Sequence, residues 1–254
     1  MTKTILSLLF ILFLCITQVQ AGWYECYTYK GSIGKYPITL SIQVRDGFFG
    51  EKDKKDFNLI GVYKYDAYNT PIRLEGKLNR QTKKVVLYEA NDQKQRITFE
   101  FEFSEKRSTG VWKNLSTQKT FPLHLNYVSK LIELTPESAI VNNEVLQTNS
   151  LENYYFIGIY SKKPGEDRVH MDKLKIINKK DNTLFQVIDL SAVETQTGNV
   201  KTIIYDNVEV YNPHKKEFLV WNDIGRMGGY LTVAFNPKTQ KFKLDPEPQI
   251  DGPE

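Results

Sequence analysis

Alternation of apolar and polar residues is the feature of this 254-residue chain that most constrains its fold. Residues 97–103 carry isoleucine or phenylalanine at every second position, and 38–44 carry isoleucine, leucine and valine in the same way. A side-chain period of two belongs to a strand with one apolar face and one polar, solvated face. The 15 tyrosines and 14 phenylalanines also favour sheet over helix. We therefore predict an all-β protein.

Eight predicted strands follow one another in the first half, with turn sequences such as Asp46-Gly47 and Asn91-Asp92 between some of them. Short antiparallel strands in sequence form a meander, and eight of them tend to close because closure removes exposed edges. A closed barrel of this size holds its own side chains or one small ligand. The predicted strands are 23–30, 36–44, 57–65, 71–78, 84–90, 96–104, 108–113 and 120–127.

The alternation stops between the two halves, where Thr135-Pro136-Glu137 is typical of a helix start. Further on, aromatic-Asn-Pro sequences at Asn212 and Asn236 predict hairpins of a second antiparallel β-domain. The predicted units are a leader at 1–21, an N-terminal barrel or meander at 22–128, a linker at 129–153 that is either irregular or contains a short helix, a β-hairpin domain at 154–246 and a flexible tail at 247–254.

The N-terminal segment has the pattern of a secretory signal peptide. Lys3 precedes an apolar run over 5–16, and Val19 and Ala21 fit cleavage before Gly22. The run has about a dozen residues, whereas a membrane-spanning helix needs about 20. We therefore expect export to the periplasm of a Gram-negative bacterium or to the extracellular space, without a transmembrane anchor.

The two cysteines carry different expectations. Cleavage removes Cys15 and leaves Cys26 alone, so no internal disulfide is expected. Lipid modification of Cys15 is an alternative, which the bulky Leu14 disfavours. Cys26 is interpreted as an apolar packing residue, with a reactive thiol or a bridge between chains as the alternatives. The oligomeric state stays open.

Candidate catalytic and metal-binding residues are few. His124, His170 and His214 lack the spacing of a metal site, although Asp167 and Asp172 flank His170. No nucleophile or phosphate-binding motif occurs. We therefore predict no catalytic residue, metal or cofactor, and a carboxylate-based hydrolase is the least favoured alternative. The net charge of +4 is spread along the chain, which argues against nucleic acid.

A glycine-rich segment at 221–230 is the strongest candidate for partner binding. Three glycines surround one arginine, and a tryptophan and a tyrosine flank the segment. Arginine and aromatic residues dominate binding hot spots, although the aromatics could instead be core residues of a hairpin. The candidate residues are Trp221, Asn222, Asp223, Arg226, Met227 and Tyr230.

A second hypothesis makes the protein a small-ligand carrier. The ligand would lie inside the N-terminal barrel, in a cavity lined by inward residues such as Ile38, Phe99 and Phe101. A tightly packed barrel interior would argue against this hypothesis.

Three segments, Leu184–Ile188, Ile204–Asn207 and Leu231–Phe242, resemble a domain of secreted bacterial inhibitors of lysozyme-like cell-wall hydrolases. The resemblance implies a non-enzymatic binding protein, an inhibitor or immunity protein. In that mechanism Arg226 enters the acidic catalytic cleft of the hydrolase. Members of the family carry Asp-x-Asn-Phe-Asp-Gly, which can bind calcium. This chain has Asp206-Asn207-Val208-Glu209 instead, which puts a metal site there in doubt.

Overall fold

The protein is almost entirely strand within the residues that its structure describes. The computed structural model describes residues 25–44, 57–90, 96–132, 140–165, 169–191, 193, 196–197, 204–224, 227–247 and 249–250. One 3₁₀ helix is the exception to strand and turn in these ranges. The predicted all-β class is confirmed, whereas the leader lies outside the described residues.

The first half is a closed eight-stranded antiparallel barrel, as the alternation predicts. Each strand pairs with the next one, and the first strand pairs with the eighth to close the barrel. The strands are β1 (Glu25–Ile33), β2 (Tyr36–Val44), β3 (Leu59–Tyr65), β4 (Ile72–Leu78), β5 (Lys84–Glu89), β6 (Ile97–Glu102), β7 (Arg107–Asn114) and β8 (Lys119–Ile132).

Glycine permits close approach at the seam between β1 and β8. A Cβ added to Gly31 would lie 1.9 Å from the carbonyl oxygen of His124 on the neighbouring strand. Such a distance is far below van der Waals contact, so a larger residue would force the two strands apart. Glycine within a strand commonly marks a close approach of this kind.

Large aromatic and aliphatic side chains pack inside the barrel. Tyr29, Tyr63 and Phe99 are among its fully buried residues, and the rings of Tyr63 and Phe99 lie 4.9 Å apart in an edge-to-face contact. Each such side chain stabilises the fold by about 1.5–3 kcal/mol through removal of apolar surface from water. The inward faces of the strands therefore form one continuous core.

Two further antiparallel sheets follow, one in the order β12-β11-β10-β9 and one built on β13-β15-β16-β17, with β14 beside β15 and β18 beside β16. Their strands are β9 (Ile140–Ser150), β10 (Tyr154–Lys162), β11 (His170–Asn178), β12 (Leu184–Asp189), β13 (Gln196–Thr197), β14 (Val208–Asn212), β15 (Glu217–Ile224), β16 (Met227–Asn236), β17 (Lys241–Leu244) and β18 (Gln249–Ile250). The 3₁₀ helix spans Ile204–Asp206.

The predicted linker at 129–153 is wrong for the residues that are described there. Strand β8 continues to Ile132, and β9 spans Ile140–Ser150. For β8 the reason is a β-bulge, because Val128 is an extra residue between the pairs Tyr29–Tyr127 and Thr28–Ser129. A bulge reverses the side-chain parity and hides the rest of the strand from a period-two pattern. The predicted helix start at 135–137 lies outside the described residues.

The predicted flexible tail also needs correction. Gln249 and Ile250 form β18, which pairs with Tyr230 and Gly229 of β16. The short strand pairs with β16 along the same edge as β17, at residues of β16 that β17 does not reach. Residues 251–254 lie outside the described part of the chain.

One apolar core joins the barrel to the second half. Cys26, Val62 and Leu131 point outward from the barrel wall and belong to the same buried cluster as Phe156 and Phe218 of the two further sheets. Burial raises the pKa of the Cys26 thiol from 9.0 to about 12, which agrees with the interpretation of this cysteine as a packing residue. The halves separated by sequence pattern therefore share their hydrophobic core.

A buried segment, 204–208, which contains the 3₁₀ helix and the first residue of β14, fastens the sheets to the barrel. The backbone N–H of Ile204 donates to Oε1 of Gln43 on β2 at 3.1 Å, and Arg73 on β4 forms an ion pair of 2.7 Å with Asp206. On the other side, Tyr160 donates its hydroxyl to the carbonyl oxygen of Ile204. These bonds supply the partners that buried backbone groups require outside regular structure.

Candidate ligand-binding cleft

The outer face of β2 is polar but buried. Thr39, Ser41 and Gln43 alternate with the core residues of the same strand, and Ser41 and Gln43 are 0% and 1% exposed. The predicted solvated face of this strand is therefore wrong, because β9 and the segment at 204–208 cover it. Polar groups in such a position require internal partners or a ligand.

A cleft of about 790 Å³ opens beside this covered face. One wall consists of outward-facing residues of β1, β2, β3 and the end of β8, and the other belongs to β9, β10 and β11. Small-molecule sites in proteins are commonly 300–1,000 Å³, so the cleft has the size of a ligand site. Its hydroxyl and amide residues are Thr28, Thr39, Ser129, Asn142, Asn143 and Asn182, and its aliphatic and aromatic residues are Val128, Leu146, Ile157, Ile177 and Tyr155.

A buried lysine joins the two walls. Lys64 on β3 is 3% exposed, and its Nζ donates to Asp66 at 2.7 Å and to the amide oxygen of Asn69 at 2.8 Å. The same Nζ lies 4.8 Å from the ring centre of Tyr155 on the opposite wall. A cation over an aromatic face is attracted to it, more strongly when it is shielded from water.

Turn residues complete this junction. Asn69 and Asn182 both adopt positive φ angles, of 55° and 62°, which asparagine tolerates better than most residues. The amide of Asn69 donates to the carbonyl oxygen of Lys179 at 2.8 Å, and that of Asn182 donates to the carbonyl oxygen of Asp66 at 3.1 Å. Tyr155 donates its hydroxyl to Asn182 at 2.7 Å. Each wall therefore holds the other through side chains.

A second set of hydrogen bonds joins the walls at the end of β8. Ser129 donates its hydroxyl to the amide oxygen of Asn143 on β9 at 2.9 Å, and the same amide donates to the carbonyl oxygen of Lys130 at 2.8 Å. Two separate junctions fix the width of the cleft without a ligand. A site that is already formed loses less conformational entropy when a ligand binds.

Four lysines and two acids line the cleft, namely Lys30, Lys64, Lys130, Lys175, Asp66 and Glu144. Both acids are paired, Asp66 with Lys64 and Glu144 with Lys175, while Lys130 pairs with Glu105. Burial, followed by the charges of Asp66 and Glu144, raises the pKa of Tyr155 to about 12, so its hydroxyl stays protonated as a donor.

The predicted partner-binding segment is mostly strand. β15 and β16 pair without interruption from Glu217–Ala234 to Ile224–Met227, which places the backbones of Asn222, Asp223 and Met227 in the hairpin. The predicted loop is therefore shorter than Gly225–Gly229, and Arg226 lies outside the described residues.

The two aromatics of that segment form a cross-strand pair. The rings of Trp221 and Tyr230 lie 6.1 Å apart, and Trp221 donates its indole N–H to Glu209 at 3.1 Å. Both are half-buried, on the sheet face opposite the buried Val220 and Leu231. They are not core residues, so the sequence-based alternative for them does not hold.

The residues expected to line a cavity in the barrel are parts of its packed core. Ile38 and Phe99 are fully buried, Phe101 is 4% exposed, and Phe99 contacts Tyr63 as described above. The large cleft lies outside the barrel wall and shares none of these three residues. The packing of these side chains argues against a ligand at their positions.

The histidines do not converge. His124 and His214 are exposed on the barrel and in a turn, whereas His170 is half-buried at the start of β11. Asp167 lies outside the described residues, and Asp206 is held by Arg73. Within the described ranges, no group of three or more His, Cys, Asp or Glu side chains could hold a metal ion.

Comparisons with known proteins leave the family open. No protein-family model matches the chain, and no curated protein is similar to it. None of the described residues belongs to a helix with the length and apolar character that a membrane span requires.

The cleft is the feature that sequence reasoning missed. Its residues come from strands far apart in the chain, and each wall shows only an ordinary alternation of polar and apolar residues. One signal was present, because the outward positions Thr39, Ser41 and Gln43 of β2 are uncharged, whereas a solvated face commonly carries charged residues. Small uncharged polar residues on a strand are compatible with burial under a second layer.

Proposed function

We propose that this chain is an exported, non-enzymatic binding protein whose ligand lies in the cleft between the barrel wall and the β9–β12 sheet. The observation that carries the proposal is a 790 Å³ cleft with two hydrogen-bonded walls and polar groups from both walls. A largely preformed concave site with a few directed polar groups is the usual form of a small-molecule site.

Binding fits the cleft better than acid–base catalysis. Asp66 accepts hydrogen bonds from Lys64 and Thr39, and Glu144 accepts one from Lys175. These carboxylates are therefore engaged in holding the site together. A general acid or base needs instead a proton that it can exchange with a substrate.

Export is part of the proposal, and its support is the pattern of residues 1–21. Mass spectrometry of the protein from its native cells tests this part. We expect a mature N-terminus at Gly22 in the envelope or external fraction. An intact Met1 in a cytosolic pool would contradict export and leave the cleft proposal standing.

A blocking substitution tests the cleft. Val128 lines it and is 49% exposed, so Val128→Trp should fill the opening without disturbing the core. Leu115 is 47% exposed in the turn between β7 and β8, which makes Leu115→Trp a matched control outside the cleft. The measurement is the rise in the melting temperature of each protein when compounds from a library of envelope metabolites and glycan fragments are added. We expect compounds that stabilise the wild type and Leu115→Trp but not Val128→Trp. Equal stabilisation of all three proteins would place binding elsewhere.

Inhibition of a lysozyme-like hydrolase is a second candidate function. The observation that favours it is the Trp221–Tyr230 pair, half-buried on a hairpin whose paired strands leave only Gly225 and Arg226 between them. The test is peptidoglycan hydrolysis by a panel of such enzymes with added protein. Arg226→Ala should weaken inhibition at least tenfold, whereas Lys238→Ala in the β16–β17 turn should not. Absence of inhibition across the panel would remove this candidate.

A further inference from the structure

We propose that the ligand of the cleft is an acidic oligosaccharide, a sugar chain that carries carboxylates. This inference rests on the proposed function of the cleft and adds the chemical class of the ligand. It follows from the charge of the lining, from the kind of polar groups there and from the aliphatic residues between them.

The charge of the lining favours an anion. Lys30 is exposed on β1 and has no hydrogen-bond or ion-pair partner among the described residues. Lys64 and Lys175 are matched by the two acids of the lining, and Lys130 is matched by Glu105, which lies outside the lining. The cleft therefore has a positive excess with one ammonium group available. Concave surfaces of one sign concentrate the oppositely charged ligand.

The polar groups of the cleft suit hydroxyl recognition. Three asparagine amides line it, and an amide offers both donors and acceptors, as a sugar hydroxyl does. The amides of Asn143 and Asn182 already bond across the cleft. Asn142 is exposed, and its side-chain amide has no hydrogen bond within the described residues. Arginine is absent from the described lining, so the planar, bidentate recognition typical of tightly bound phosphate or single carboxylate groups is not available there.

Aliphatic side chains lie among these polar groups. Val128, Ile157 and Ile177 give the cleft apolar patches on both walls. The C–H faces of a pyranose ring can cover such patches, while its hydroxyl groups reach the amides beside them. A short acidic peptide would match the charge but would offer few hydroxyl groups. The lining therefore fits a polyhydroxylated anion better than a simple one.

Three probes of equal length separate charge from hydroxyl recognition. Tetragalacturonate carries carboxylates and hydroxyls, its methyl ester carries hydroxyls without the charge, and tetraglutamate carries carboxylates without the sugar. Calorimetric titration of the wild type at low salt should give an affinity for tetragalacturonate at least tenfold above those for the other two. Equal binding of the ester or of tetraglutamate would overturn the proposal, and so would no binding of tetragalacturonate at millimolar concentration.

Variants test whether tetragalacturonate binds in the cleft. Lys30→Gln should lower the affinity for tetragalacturonate about tenfold, whereas Lys77→Gln, an exposed lysine on β4, should leave it unchanged. Val128→Trp should abolish binding, and undiminished binding by that variant would overturn the proposal. If a library compound is blocked by Val128→Trp and no galacturonate probe binds, the cleft remains the site and only the ligand class is wrong.

Discussion

The two faces of strand β2 have opposite characters, although both are largely buried. The inner face carries Ile38, Leu40 and Ile42 into the barrel core, and the outer face of the same strand carries Thr39, Ser41 and Gln43. The inner face is closed on itself, while the outer face is covered by the second half of the chain except at the cleft. Strand β2 therefore stabilises the barrel through its inner side chains and contributes to a polar site through its outer ones.

This difference separates two kinds of energetic contribution. Inside the barrel, burial of apolar area stabilises the fold without regard to direction. On the outer face, each polar group contributes only through a specific partner, and losing that partner leaves a costly buried group. Substitutions on the two faces should therefore differ in size and in their effect on the cleft.

Phe99→Ala should have the largest effect, since it removes a fully buried ring from the barrel core. We expect a loss of about 3–5 kcal/mol in the free energy of unfolding, because a cavity adds to the lost transfer energy. Denaturant unfolding measures this loss. A loss below about 1.5 kcal/mol would mean that the barrel interior is loosely packed and that the two faces differ less than described.

Lys64→Ala should cost less, about 2–3 kcal/mol, because it removes a buried ammonium, leaves the Asn69 amide oxygen without this donor and takes from Asp66 its charged partner. It should also weaken ligand binding, because it loosens the junction between the walls. The control is Lys77→Ala, which should change the free energy of unfolding by less than about 0.5 kcal/mol. Equal effects of the two substitutions would contradict the role of Lys64 as a junction.

Gln43→Leu tests the bond to Ile204 on the outer face and should cost about 1–2 kcal/mol. The shape of the side chain is nearly kept, but the buried N–H of Ile204 loses its acceptor. Ile42→Val, on the inner face next to it, removes one methyl group and should cost about 0.5–1.5 kcal/mol. If Gln43→Leu proves neutral or stabilising in denaturant unfolding, the polar contact does not fasten the halves.

Alkaline pH should produce a gradual effect that is small near pH 9 and grows as the pH rises. Burial raises the pKa of Cys26 to about 12, and burial also raises the pKa values of Tyr29 and Tyr63, whose hydroxyls are protonated in the fold. Groups with raised pKa values contribute stability that is complete below their unfolded values and is lost as pH rises through the folded ones. We therefore expect the melting temperature to hold to about pH 9 and to fall between pH 9 and 12.

Cys26→Ala isolates one part of that alkaline decline. By pH 10 the thiol alone should lower the free energy of unfolding by about 1 kcal/mol, since its unfolded pKa is 9.0. The variant should therefore lose less stability than the wild type between pH 8 and 10. An identical decline in the two proteins would indicate that the thiol is accessible to water.

The barrel was predictable because its signal is local. Alternation in segments such as 97–102 identifies both the strand and its inward face, and eight such segments in sequence favour closure. The continuation of β8 was not predictable, because the bulge at Val128 reverses the parity on which the prediction depends. Pattern reasoning fails where a strand bends.

The cleft could not be predicted from the sequence, because it depends on which barrel strands have their outer face covered by the second half of the chain. Thr39 and Thr109 are both outward threonines on barrel strands, yet Thr39 bonds to Asp66 beside the cleft and Thr109 is exposed. Only the packing of β9–β11 against the barrel distinguishes the two threonines, and this packing brings together residues that are far apart in the sequence. The hairpins with turns at Asn212 and Asn236 were predicted for the opposite reason, since the two strands of each are neighbours in sequence.

The central claim is that the second half encloses the outer face of β1–β3 and leaves only the cleft open. Alkylation of single cysteines tests it most directly, with Ser41→Cys, Val128→Cys and Thr109→Cys each placed in a background that carries Cys15→Ala and Cys26→Ala. We expect Thr109→Cys and Val128→Cys to react rapidly with a small maleimide, whereas Ser41→Cys should react only after unfolding. Equally rapid reaction of Ser41→Cys in the folded protein would contradict the enclosure, and with it the cleft.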